Sequence, residues 1–135
     1  MFLALFCAAR GNFPALEAIF TAVEERGIEP IFNAGNTVGA YPWPNETVEF
    51  VRRRRIPTVQ GTDDRNTARF LRSSDRMLRK IPENARHALE WTHANTASVN
   101  IEWLGTLPKE RHFTLEGIDI LLCHGAPTGM KERLT

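Results

Sequence analysis

The sequence predicts an α/β fold in which a mostly parallel sheet is followed by a late β-hairpin. Short apolar runs alternate with amphipathic segments, and this order suits parallel strands because each crossover between them usually contains a helix. The apolar run 1–9 ends in a glycine turn, and residues with helical spacing follow at once. Residues 111–115 and 118–123 alternate around Glu116-Gly117, as in a hairpin. With 135 residues, 42% of them apolar, we expect a single domain over 1–135.

Local signals assign the other elements in chain order. Asn12 can cap the first helix, whose apolar residues recur every three to four positions, and Gly27 can end it. Thr62 or Asp63 can cap the helix after the third strand. The predicted strands span 1–9, 30–33 and 56–60, and the predicted helices span 12–27, 45–51, 64–80 and 83–96, with a short helix capped by Ser98.

Composition narrows the class of protein. No apolar run is long enough to span a membrane, and the run 1–9 is short and lacks the basic leader of a secretory signal. Cys7 and Cys123 both lie in apolar runs, so we expect buried free thiols and a cytoplasmic protein.

Residues 52–80 contain ten basic and three acidic residues, a charge of +7, whereas the whole chain carries +1. A basic middle favours an anionic partner or the acidic surface of the same chain.

Arginines recur at helical spacing through residues 64–80. If this segment is one helix that Ser73-Ser74 do not interrupt, the arginines form a continuous basic stripe. Phe70, Leu71, Met77 and Leu78 then supply the opposite, buried side. A solvated, salt-bridged helix face is the favoured interpretation; binding to nucleic-acid phosphates is the alternative, and no aromatic interleaving supports it. The stripe consists of Arg65, Arg69, Arg72, Arg76 and Arg79.

Four segments, in this order, resemble motifs of the calcineurin-like metallophosphoesterases, specifically their small bacterial and archaeal phosphodiesterase branch. Residues 8–12, Ala-Ala-Arg-Gly-Asn, resemble Asp-x-His-Gly-Asn, and residues 35–39, Gly-Asn-Thr-Val-Gly, resemble Gly-Asp-x-Val-Gly. Residues 61–64, Gly-Thr-Asp-Asp, resemble Gly-Asn-His-Asp, and residues 124–127, His-Gly-Ala-Pro, resemble His-Gly-Ser-Pro. The resemblance implies a layered α-β-β-α sandwich of which this chain is the N-terminal portion, without the late strands and the final Gly-His-x-His loop.

The same resemblance implies a two-metal site, in which carboxylate, imidazole and amide ligands hold cations that clamp a phosphate and activate a water. Most of that ligand set is replaced here. Ala8 corresponds to the first Asp, Arg10 to the first His and Asn36 to the bridging Asp. Thr62 corresponds to the Asn ligand and Asp63 to the catalytic His. We therefore expect no tight dinuclear centre and no cofactor.

Two side chains of the family pattern remain. His124 corresponds to a usual metal ligand, and Asp64 to a residue that orients one, although nothing obvious is left for Asp64 to orient. If the site is active in altered form, we expect a divalent Mn, Zn, Fe or Mg ion on His124 and Asn36, with Asp63 and His124 in catalysis. If it is not, His124 is a polar side chain bonded to a neighbouring loop.

The remains of the site have two further interpretations. One is a pocket for a small anion or phosphate at a helix N-terminus; the favoured one is an ion pair of Arg10 with Asp63 or Asp64 that fills the former metal site. The pocket residues are Arg10, Asn12, Asn36, Asp63, Asp64 and His124.

We expect a catalytically inactive phosphoesterase-like protein, a pseudoenzyme, with a role in binding or assembly. The alternatives are a weak metal-dependent phosphoesterase and an anion or nucleic-acid binder that uses the arginine stripe. Without the late strands, apolar surface and an unpaired strand edge would be exposed, so we expect a homodimer.

Overall fold

The structure is a computed structural model that describes residues 1–132, and it has a mixed α/β architecture, which confirms the predicted fold class. Within these residues no helix combines the length and the apolar character needed to cross a bilayer. The strands are β1 (Ala4–Phe6), β2 (Ile31–Asn33), β3 (Glu110–Leu115) and β4 (Ile118–Cys123). The helices are α1 (Phe13–Glu25), α2 (Pro44–Arg53), α3 (Thr62–Arg69), α4 (Asp75–Leu78), α5 (Glu83–Asn95) and α6 (Ser98–Thr106), with a 3₁₀ turn at Phe70–Arg72.

The parallel part of the sheet is short. β1 pairs in parallel with β2, with Ala4 opposite Ile31 and Phe6 opposite Asn33. The predicted third strand, 56–60, contributes a single parallel bridge between Asn33 and Thr58, so that segment runs beside β2 without forming a full strand. β3 and β4 pair antiparallel as predicted, with Leu115 opposite Ile118 across the Glu116-Gly117 turn. Both turn residues have positive φ, 50° and 78°, which suits a tight two-residue hairpin turn.

Helix α1 begins and packs as the sequence predicts. The Asn12 side chain accepts a hydrogen bond from the Ala15 amide and thereby caps α1. One face of the helix buries Leu16 and Phe20 against Phe6 of β1 and Val51 of α2. Burying each large side chain contributes on the order of 1.5–3 kcal/mol, and this cluster fixes α1 against the strand that leads to the first loop.

A second cluster anchors the hairpin. Leu122 of β4 packs with Phe32 of β2 and with Val59, and Phe113 of β3 lies against the same cluster. The Phe32 and Phe113 ring centroids are 4.7 Å apart. Because β4 is held there, its carboxyl end arrives beside the end of β2, and His124 follows directly.

The predicted continuous helix over 64–80 is wrong. Helix α3 ends at Arg69, a 3₁₀ turn follows, and α4 starts afresh at Asp75 with the Ser74 hydroxyl accepting from the Met77 amide at 3.3 Å. Ser73 and Ser74 have extended ψ angles of 129° and 154°. The helix is therefore interrupted at the two serines that the sequence analysis singled out. The arginine stripe is therefore divided: Arg65 and Arg69 lie on α3, Arg72 in the 3₁₀ turn, Arg76 on α4, and Arg79 just after it.

The predicted burial of the apolar residues opposite the stripe is also wrong in part. Leu71 is 82% exposed and Met77 60% exposed, whereas Phe70 and Leu78 are half-buried. Phe70 packs against His93 of α5, with ring centroids 4.9 Å apart. A broken helix cannot keep one apolar side facing the core, so Leu71 and Met77 are left exposed.

Two helix starts also differ from prediction. Gly61 rather than Thr62 or Asp63 precedes the first residue of α3, and its amide is bound by the Asp64 carboxylate. Ala97 rather than Ser98 is the N-cap of α6, without a side-chain capping bond.

Candidate ligand site at the carboxyl end of the parallel strands

The loops that follow β1 and β2 lie side by side at one end of the sheet. Backbone hydrogen bonds join them: the Ala8 amide donates to the Gly35 carbonyl at 2.9 Å, and the Arg10 amide donates to the Asn36 carbonyl at 2.8 Å. The start of α3 and the end of β4 reach the same place. In open α/β sheets this edge is where ligands bind, and it collects five of the six predicted pocket residues, Arg10, Asn36, Asp63, Asp64 and His124.

The sixth predicted pocket residue, Asn12, has a structural role. The Asn12 side-chain oxygen is committed to capping α1 through the Ala15 amide at 3.2 Å. The residue therefore starts the helix, and its oxygen is engaged away from the other five side chains.

The two loops hold an unusual backbone. Ala8, Arg10 and Asn36 have positive φ angles of 58°, 51° and 54°, each at a cost of the order of 1–3 kcal/mol for a residue with a Cβ. Gly61 allows the loops to close, because a Cβ there would lie 2.2 Å from both the Asn36 amide nitrogen and its side-chain oxygen. The strained loop and the close glycine together set the direction of the Asn36 side chain.

An ion pair lies at the centre of the site. Arg10 Nε donates to Asp63 Oδ2 at 3.0 Å, and the two side chains are 44% and 27% exposed. Asn36 Oδ1 accepts from the Asp63 backbone amide at 2.9 Å, so the same loop fixes both members. Of the two pairings that the sequence left open, the Arg10–Asp63 pairing is present.

Asp64 has a role that the sequence analysis missed. The residue is fully buried, and its carboxylate accepts from the Thr37 amide at 2.8 Å, the Val38 amide at 3.2 Å and the Gly61 amide at 2.9 Å. Burial outweighs these hydrogen bonds and raises the pKa of Asp64 to about 6. Asp64 therefore has a structural role, since its hydrogen bonds link the loop after β2 to the start of α3.

His124 and Cys7 lie on the other side of the site. His124 Nδ1 is 2.6 Å from the Ala34 carbonyl oxygen and 3.8 Å from Cys7 Sγ. Cys7 is exposed and Cys123 half-buried, so the expected burial of both free thiols is wrong, because β1 ends at Phe6 and leaves Cys7 in the loop. Partial burial and the charge of Asp64 raise the pKa of the Cys7 thiol, which disfavours the nucleophilic thiolate.

The donor atoms, as placed, do not fit a dinuclear metal centre. Asn36 Oδ1 and one oxygen of Asp63 already accept hydrogen bonds, and both oxygens of Asp64 are bound by amides. Across residues 1–132, no three His, Cys, Asp or Glu side chains group closely enough to hold a metal ion. The exception is His124: with Nδ1 on the Ala34 carbonyl, its Nε2 points away from that bond, which is how metal-bound histidines are commonly oriented.

Comparison with known proteins finds relatives among curated proteins and solved structures, whereas no protein-family model matches. An uncharacterized protein of Methanocaldococcus jannaschii is 26% identical over 125 residues, which is 93% of this chain and 49% of that protein. A hypothetical protein of Pyrococcus horikoshii superposes with a TM-score of 0.82 at 24% identity, covering 98% of this chain and 57% of the other. A metallophosphoesterase of Sphaerobacter thermophilus superposes with a TM-score of 0.76 at 27% identity, covering 98% of this chain and 50% of the other. The chain thus spans about half the length of the curated relative it matches.

Proposed function

We propose that this chain, which has the calcineurin-like metallophosphoesterase fold, does not hydrolyse phosphoesters and instead acts by binding. The observation that carries the proposal is the ion pair of Arg10 with Asp63 at 3.0 Å, at positions that correspond by resemblance to a histidine ligand and the catalytic histidine. A guanidinium there supplies permanently the positive charge that the fold otherwise obtains from metal ions.

Electrostatics support this proposal. A dication about 4 Å from a guanidinium at an effective dielectric constant of about 20 is repelled by roughly 8 kcal/mol. Asn36 offers a neutral oxygen where a bridging carboxylate would offset the repulsion between two metals. Asp63 is half-buried, and its Oδ2 accepts a hydrogen bond from Arg10 at 3.0 Å, so that oxygen is not free to assist a leaving group.

The test is turnover of a generic phosphodiester, bis(p-nitrophenyl) phosphate, with and without added Mn²⁺. We expect rates that do not depend on Mn²⁺ and are the same in the protein and in His124→Ala. Turnover that requires Mn²⁺ and disappears in His124→Ala would show a catalytically active metal site and would refute the proposal.

The alternative, a weak metal-dependent phosphoesterase with an altered site, has one observation in its favour. The His124 ring is held through Nδ1 by the Ala34 carbonyl at 2.6 Å, so its Nε2 is oriented as a ligand to Mn, Zn, Fe or Mg would be. In this alternative Asp63 must leave Arg10 to act. Arg10→Ala should then raise Mn²⁺-dependent turnover, whereas under the favoured proposal it produces none.

For the binding role, we propose self-association into a homodimer along the outer edge of β1. Within the described residues β1 pairs only with β2, and the residues around its free edge are exposed: Phe2 by 80%, Leu5 by 59% and Leu3 by 40%. Exposed apolar side chains beside an unpaired strand edge are a common basis of association. Light scattering after size exclusion should give a dimer that Leu5→Glu converts to a monomer; a monomer at micromolar concentration would refute the proposal.

A further inference from the structure

A cleft of about 340 Å³ opens where the segment 56–60 begins, whereas the candidate site lies where that segment ends. The end of α2, the end of α6 and the start of β3 form its walls. Its volume is near the lower end of the range for small-molecule sites, about 300–1,000 Å³. Three arginines, Arg52, Arg55 and Arg111, line it together with Trp103 and other apolar residues, and no aspartate or glutamate of residues 1–132 does so.

The positive charge of this cleft is not neutralised by carboxylates. In the part of the chain that the structure describes, none of the three arginines lies within ion-pair distance of an aspartate or glutamate. The two arginines that follow Arg52 in the sequence are paired, Arg53 with Glu49 and Arg54 with Glu24. The cleft therefore collects three positive charges that repel a cation and attract an anion.

Neutral acceptors hold two of these guanidiniums in place. Arg52 is half-buried and donates through Nη1 to Asn100 Oδ1 at 2.9 Å. Arg111 donates through Nε to the Thr58 carbonyl at 2.9 Å. A guanidinium has five N–H donors, so each of the two keeps several donors for a ligand. Side chains that are fixed in advance lose less entropy when a ligand binds.

Arg55 occupies a position at which helices commonly have glycine. It is the first residue beyond the C-cap of α2, and its φ is 52°. Its amide donates to the Arg52 carbonyl and the Ile56 amide donates to the Val51 carbonyl, which are the two bonds of a Schellman motif. A residue with a Cβ is strained in this conformation, and strain of this kind often accompanies function. Arginines also complement the dipole of a helix C-terminus, and the experiment has to separate that role from ligand binding.

We infer that this cleft binds a small phosphomonoester, with its phosphate group among Arg52, Arg55 and Arg111. Such a phosphate carries a charge of about −1.5 to −2 at pH 7 and three acceptor oxygens, so it matches three arginines better than a singly charged carboxylate does. The apolar side of the cleft, which includes Trp103, suits the organic part of the ester. This cleft is separate from the ion pair at the candidate site, so the inference goes beyond the proposed function and does not rest on it.

The experiment is isothermal titration calorimetry of the full chain, freed of metal ions on a chelating resin, with phenyl phosphate and separately with inorganic phosphate. We expect one site for phenyl phosphate with a Kd on the order of 0.1 mM at low salt. Inorganic phosphate should bind at least about threefold more weakly, because it leaves the apolar side of the cleft uncovered. Arg111→Gln should weaken the binding of phenyl phosphate by about tenfold, the effect of losing one hydrogen bond to a charged group.

Arg55→Gly is the variant that separates binding from folding. Glycine suits the positive φ at this position, so the Tm should rise, whereas the affinity for phenyl phosphate should fall by about fivefold because one charge is lost. Unchanged affinity in this variant would remove Arg55 from the site and overturn the inference.

Arg53→Gln is the matched control, since it removes the same charge from the same end of α2 and Arg53 does not line the cleft. It should change the Kd by less than about twofold. Weakening equal to that of Arg111→Gln, or equal affinity for the two phosphates, would mean an adventitious ion only and would overturn the inference. Absence of phenyl phosphate binding would overturn it too, whether or not a single-stranded oligonucleotide binds. Binding is measured without metal ions, so the proposed absence of hydrolysis is tested separately.

Discussion

The buried Asp64 carboxylate should make the stability of this protein decrease as pH rises from acid to neutral. Its pKa is about 6 in the folded protein, compared with about 3.9 in an unfolded chain. Between these values the folded state binds more protons than the unfolded state, so the free energy of unfolding falls as pH increases. A difference of about 2 units, at about 1.4 kcal/mol per unit, gives a contribution that is present below pH 4 and smaller by about 3 kcal/mol above pH 7.

The assay is urea unfolding of the protein and of Asp64→Asn at pH values from about 3.5 to 7.5. Other carboxylates titrate in the same range, and subtracting the variant removes them. The asparagine also changes the hydrogen bonds to the Thr37 and Gly61 amides, but that offset does not vary with pH. The difference should fall by about 3 kcal/mol across the window. A difference that is flat, or that rises with pH, would refute the argument that burial outweighs the amide hydrogen bonds.

Three further predictions concern the frame and the surface. Gly61→Ala should lower the free energy of unfolding by about 3 kcal/mol, because its Cβ would lie 2.2 Å from the Asn36 backbone nitrogen. Urea titration measures this, and the control is Gly105→Ala in α6, whose Cβ would make only an ordinary contact with the Ala68 Cβ at 3.6 Å. Leu16→Ala should cost about 2–5 kcal/mol because Leu16 is fully buried, and a loss below about 1 kcal/mol would contradict the assigned core. The double variant Arg72→Ala, Arg76→Ala should not change the salt dependence of duplex DNA binding measured by fluorescence anisotropy, because the interrupted helix presents no continuous stripe. A clear loss of salt dependence would restore the nucleic-acid interpretation.

Features set by local chemistry were predictable from the sequence. The Asn12 cap of α1 and the Glu116-Gly117 hairpin turn depend on neighbouring residues, and both are confirmed. The order of strand and helix followed from short-range patterns in the same way. The metallophosphoesterase resemblance also predicted which loops would meet, because its motifs lie where parallel segments of chain end at one edge of the sheet.

Features set by distant contacts were not predictable. The sequence analysis found no role for Asp64 because its hydrogen-bond partners, the Thr37 and Val38 amides, are 27 and 26 residues away in the chain. Leu71 and Met77 were assigned to a buried face on the assumption of helical spacing through a segment that breaks at the serines.

The most direct test of the central claim is anomalous diffraction from crystals soaked in Mn²⁺. The account predicts no anomalous peak beside Asn36 and His124, with Arg10 Nε still about 3.0 Å from Asp63 Oδ2. Two ordered, closely spaced Mn²⁺ ions beside Asn36, with the Arg10 side chain displaced from Asp63, would contradict it.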